Sequence, residues 1–133
     1  MRAAKSIRRL AVGALLPLSV AGCFETEDIG VVVVGAQYDG ARDQCRVEVE
    51  VTNNLQEPIE LISIWPYMNG TKPRDNFGTV VRLSDVKVGE VKRRTAVYDD
   101  PDGSICRDPE ITKIDTGYDC KTATRICNED ISF

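Results

Sequence analysis

The sequence predicts an all-β fold, a small antiparallel β-sandwich held by two disulfides, on three observations. Residues 45–51 alternate strictly, Cys45, Val47, Val49 and Val51 being interleaved with Arg46, Glu48 and Glu50, which is the period of a strand with one buried and one wet face. Beyond residue 30, short β-branched runs are separated by Asn, Asp, Gly and Pro, and no segment repeats its apolar residues at helical spacing. After Cys23 come four more cysteines, Cys45, Cys106, Cys120 and Cys127, an even number that suits two cystines. A chain of 133 residues makes one small domain, whose core gains from such support.

Taken in order, residues 31–34 are four valines and form the first strand, followed by Gly35 to Tyr38 and a turn at Asp39-Gly40. The alternating second strand puts Cys45 on its inward face. Thr52-Asn53-Asn54 ends that strand with side chains that bond their own backbone. Residues 61–65 are dense in apolar groups and read as a central strand or one covered on both sides, with Trp65 as a core residue. Pro66 has no N–H to give a ladder, so a bulge or strand end is expected there. Asn69-Gly70 is a turn dipeptide, and residues 71–78 read as a loop. Two further strands, 79–83 and 91–98, are joined across Val88-Gly89-Glu90. Residues 99–103 form an acidic turn, 111–114 another strand, and Ile131 and Phe133 can tuck the last residues against the sheet. Pairing Cys45 with Cys106 and Cys120 with Cys127 is preferred, but four cysteines allow three connectivities and all stay open.

The first residues read as an export signal. Arg2, Lys5, Arg8 and Arg9 stand without an acid, and residues 10–21 are almost wholly apolar. That stretch is shorter than the roughly 18 to 20 residues of a membrane-spanning helix and is interrupted by Pro17. The surroundings of Arg8-Arg9 match the twin-arginine consensus poorly, so general secretion is expected. Val20-Ala21-Gly22-Cys23 resembles the lipobox of bacterial lipoproteins. The resemblance implies cleavage before Cys23, lipidation of its thiol, and a stable membrane anchor. The expected divisions are a signal peptide over 1–22, a lipid-anchored tether over 23–30 and a β-sandwich domain over 31–133. In enteric lipoproteins an Asp after the lipidated cysteine retains the protein at the inner membrane; Phe24 stands there, and by this likeness the outer membrane is favoured, with the domain on the periplasmic side.

A second resemblance rests on residues 47–54, Pro58-Ile59, the 61–65 strand and Val88-Gly89-Glu90 before a long strand. Together these are similar to the small immunoglobulin-like modules of the FxLYD type in bacterial envelope proteins. Ile64-Trp65-Pro66-Tyr67-Met68 stands near the place of that signature, whose own residues are absent. The resemblance implies an immunoglobulin-like sandwich, and adhesion or assembly in place of catalysis.

Composition narrows the chemistry. Without residues 1–22 the chain keeps 13 basic residues against 21 acidic ones, a formal charge of −8, so nucleic acid is not an expected partner. The absence of histidine excludes a Ser-His-Asp triad, a Cys-His pair and the common His-containing zinc sites. No Cys-x-x-Cys and no Gly-rich phosphate loop is present. No cofactor and no enzyme activity are expected. Asp100 and Asp102 are the candidate metal ligands, calcium being the ion their turn suggests, although an EF-hand register fails at Tyr98 and Pro109. Lys92-Arg93-Arg94, read as a charged edge strand or a partner contact, and Tyr67, read as the more exposed aromatic, are the candidate partner-binding residues. The expected function is a lipid-anchored, non-catalytic accessory subunit of an envelope protein assembly. The competing expectation is a module binding a small molecule, glycan or calcium through the acidic 99–110 loop.

Overall fold

A computed structural model of the chain describes residues 27–74 and 81–133. The expected signal peptide, Cys23 and the first half of the tether lie outside the described residues, as do Thr79 and Val80. Among the described residues seven strands form two sheets: β1 (Ile29–Asp39), β2 (Gln44–Asn53), β3 (Ile59–Met68), β4 (Val81–Val86), β5 (Val91–Asp99), β6 (Ile111–Thr122) and β7 (Ile131–Ser132). One sheet has the order β5-β2-β1-β7 and the other β4-β3-β6. Every pairing is antiparallel except the two-residue contact of β7 with β1. The result is an immunoglobulin-like sandwich of four and three strands.

The alternation of β2 is realised residue by residue. Cys45, Val47, Val49 and Val51 are buried while Arg46 is exposed and Glu48 and Glu50 are half-covered. Each buried valine contributes about 1.5 to 3 kcal/mol through its removal from water. They meet Ile62, Ile64 and Met68 of β3, Val81, Leu83 and Val86 of β4, and Ala96 and Tyr98 of β5 in one core. The Tyr98 hydroxyl donates to the Pro66 carbonyl at 2.6 Å, and burial raises its phenol pKa above the ordinary range.

Several boundaries move. β1 begins at Ile29, a buried core residue, so the folded domain starts two residues before the expected position 31. It also runs on through Gly35 to Asp39 by absorbing a bulge between Val33 and Gly35. Pro66 lies inside β3 opposite Ile114. The β3–β4 pairing ends at Ile64 and Val81, so no described β4 residue calls on the missing N–H. β6 runs for 12 residues where only 111–114 was expected, with several register shifts against β3.

Asn53 ties one end of the sandwich together. Fully buried, it donates to the carbonyls of Glu57 and Val86 at 3.1 and 3.0 Å and accepts from Leu55 N–H at 2.9 Å. Nearby, Asn54 donates to Asp28 at 2.9 Å and the Ser132 hydroxyl bonds the same carboxylate. Those two bonds hold the Asp28 carboxyl below its usual range, the Ser132 bond most strongly, and clip β7 to the start of β1. Ile131 is half-buried as expected, whereas Phe133 is exposed.

Candidate functional site

The opposite end carries the acidic loop. Its disulfide joins Cys45 to Cys106, and a second joins Cys120 to Cys127, the preferred pairing. The first pins a single helical turn, α1 (Ser104–Arg107), over β1 and β2. Asp100 is buried, and its two oxygens accept from the N–H groups of Ile105 and Cys106, each at 3.0 Å. It therefore acts as the anion at the start of this turn. Asp102 accepts from Ser104 N–H at 3.0 Å. Cys45, Asp100 and Cys106 bring three potential ligand atoms together, but the sulfurs are bonded to each other and the carboxylate is spent on backbone donors. The loop is a helix-start motif, in which Asp100 and Asp102 accept from the backbone N–H groups of the turn. Beside it, an open groove of about 430 Å³ runs along Ala36, Tyr38, Gly103 and Arg107.

Lys92, Arg93 and Arg94 lie on β5, an edge of the four-stranded sheet. Arg93 bridges Glu50 at 3.0 Å and Glu48 at 3.4 Å. Lys92 reaches the Ser84 carbonyl of the other sheet at 3.3 Å, and Arg94 the Arg93 carbonyl at 2.7 Å. These contacts suit a charge-guarded edge.

The outward face of the three-stranded sheet differs. Ile62, Ile64, Pro66 and Met68 point into the core, so Trp65 and Tyr67 point outward and are only half-buried. The expectation of a core Trp65 is corrected: a strand apolar on both faces gave no parity to place it, and Trp65 fell on the side away from the other sheet. Lys72 Nζ stands 4.3 Å from the Trp65 ring centre, Lys113 Nζ 4.9 Å from Tyr67, and the Arg82 guanidinium 5.3 Å from Tyr118, all within cation–π range. Tyr118 is 61% exposed. The Trp65 Nε1 donor is buried with no partner. Gly117 permits this packing, since a Cβ there would stand 3.1 Å from Ser63 Oγ and 3.9 Å from the indole.

Of the candidate partner residues, the structure thus separates Tyr67 from Lys92, Arg93 and Arg94 and sets it against Lys113, on the sheet that also carries Arg82 and Tyr118, with Lys72 over the neighbouring Trp65; sequence reading missed all four. Cross-strand register was the missing signal, because Tyr67 is opposite Lys113 and Ser63 lies between Arg82 and Tyr118. No protein-family model, curated protein or solved structure matches the chain.

Proposed function

We propose that this protein is a lipid-anchored, non-catalytic interaction subunit at the bacterial envelope, held at the membrane through Cys23 and meeting a protein partner with the outward face of β4-β3-β6. The observation that carries the reading is the face itself: three aromatic rings, each attended by a cation, gathered on one side of a small sheet. Trp, Tyr and Arg are the side chains that dominate binding energy in protein interfaces, because they remove large apolar area from water at low rotamer cost. A partner presenting carboxylates would draw Lys72, Arg82 and Lys113 while its apolar side chains cover the rings. The lipobox-like Val20-Ala21-Gly22-Cys23 supports the anchor, and the FxLYD-like layout of residues 45–98 is in keeping with assembly over catalysis. Membrane tethering confines domain and partner to a thin layer, raising their effective concentration without further contacts.

The test is a gentle-detergent pull-down of the full-length protein from its native membranes, with Cys23→Ser in parallel and intact-mass analysis of both. The reading expects a diacylglycerol-sized mass increase that Cys23→Ser abolishes, together with a stoichiometric protein companion. An unlipidated product or a protein that always comes down alone would refute it.

A further inference from the structure

The two sheets present four edges, and three are charged. β5 carries Lys92, Arg93, Arg94 and Asp99; β4 carries Arg82 and Asp85; β6 carries Lys113, Asp115, Asp119 and Lys121. The fourth is β1. Among the described residues β7 covers it only at Ile29 and Gly30, leaving residues 31–38 with one side of the backbone unpaired. That stretch, Val-Val-Val-Val-Gly-Ala-Gln-Tyr, holds no charge and no proline. Val32, Val34 and Tyr38 are 49%, 41% and 42% exposed. An uncovered row of backbone donors and acceptors is matched best by another backbone.

We infer that this edge pairs with the same edge of a second copy of the chain, antiparallel across a two-fold axis. Charge decides for self-pairing. A two-fold seam sets each strand against its own sequence, so a seam centred on the Lys92-Arg93-Arg94 run of β5 brings like charges together, whereas residues 31–38 of β1 bring no charges together. Parity fixes the register. Across the β1–β2 ladder, Val31, Val33, Ala36 and Tyr38 lie opposite the buried Val51, Val49, Val47 and Cys45, while Val32 and Gln37 lie opposite Glu50 and Arg46. Along the whole stretch inward residues meet inward residues when Val31 opposes Tyr38, Val32 opposes Gln37 and Val33 opposes Ala36 of the mate. This register uses the whole uncharged stretch of both copies and joins two four-stranded sheets into one. It is independent of the aromatic face, which lies on the other sheet. Both copies being acidic, screening helps them approach, so the dimer strengthens with salt, unlike an interface built on ion pairs.

The experiment is sedimentation of the full chain carrying Cys23→Ser in detergent, over a wide concentration range and at low and high salt, beside Val32→Lys and Gln37→Lys. Each variant is first shown to melt like its parent. The expected result is a monomer–dimer equilibrium that tightens with salt and weakens at least tenfold in either variant. In addition, the Val32→Cys, Gln37→Cys double variant should form a covalent dimer on mild oxidation. A monomer at every concentration, or a dimer indifferent to both lysines, would overturn the inference. A dimer lost in both lysine variants but not cross-linked would overturn the register.

Discussion

The outward faces of the two sheets solve the same problem differently. On the four-stranded sheet the charges satisfy one another: Arg93 of β5 lies across Glu48 and Glu50 of β2, leaving little for a partner to gain. On the three-stranded sheet the cations rest on rings, and the Lys113–Asp115 contact at 3.4 Å is the one ion pair among its described residues. Exposed ion pairs contribute about 0 to 1 kcal/mol each, so the first face is solvated and inert. The second keeps aromatic area and positive charge available in an otherwise acidic protein.

The faces also differ in what backs them, and the largest effects should appear there. The Cys45–Cys106 bond spans 61 residues and the Cys120–Cys127 bond 7. By the chain-entropy argument their removal costs about 4 and about 2.5 kcal/mol respectively. Thermal melting of Cys45→Ala with Cys106→Ala should therefore fall further than that of Cys120→Ala with Cys127→Ala; the reverse order would show that native contacts around β6 matter more than loop length.

A smaller contrast concerns glycines. Gly117→Val crowds Ser63 and the indole and should lose about 2 kcal/mol by overpacking. Gly35→Ala on β1 meets nothing within 4 Å and should stay within about 0.5 kcal/mol. Denaturant titration of the two separates a face fixed by tight packing from one that is not.

Tyr98 joins the sheets, and its raised phenol pKa has a definite sign. Its contribution is fully present below the ordinary value near 10 and is lost as pH rises through the higher folded value. Tyr98→Phe should lower neutral stability by about 1 kcal/mol through loss of the bond to Pro66, and should flatten the decline above pH 10. At the acid end, the depressed carboxyl of Asp28 adds stability above about pH 4 that is lost as pH falls through its lower folded value. Amide exchange in β7 should rise there first. Least of all, Arg93→Ala should change stability by under about 1 kcal/mol, measured in the same titration.

The sequence reading succeeded where one face was wet and one dry. The Cys45 to Val51 alternation places β2 and its cystine, and the turn residues around Asn53, Asn69 and Gly89 mark real reversals. It faltered where a strand is apolar on both sides or changes register. Trp65 lies on such a strand, β1 hides a bulge in its valine run, and β6 shifts repeatedly against β3. The aromatic face was illegible for the same reason. Its members come from β3, β4, β6 and the segment after Met68, and only the register brings Arg82 to Tyr118 or Lys113 to Tyr67. The role of Asp100 in the acidic loop was illegible for another reason: an aspartate that bonds the N–H groups of a helical turn has the same composition as one on a solvated turn.

The most direct measurement is capture of the proposed partner from native membranes by three full-length proteins side by side: the parent, Tyr118→Ala with Lys113→Glu on the aromatic face, and Arg93→Ala with Thr95→Ala on the opposite one. These side chains are all exposed, so folding is preserved. With hot-spot residues worth about 2 kcal/mol, the account predicts roughly a thirtyfold loss for the first pair and none for the second. Retained capture by the first pair with loss in the second would place the partner on the four-stranded sheet and contradict it.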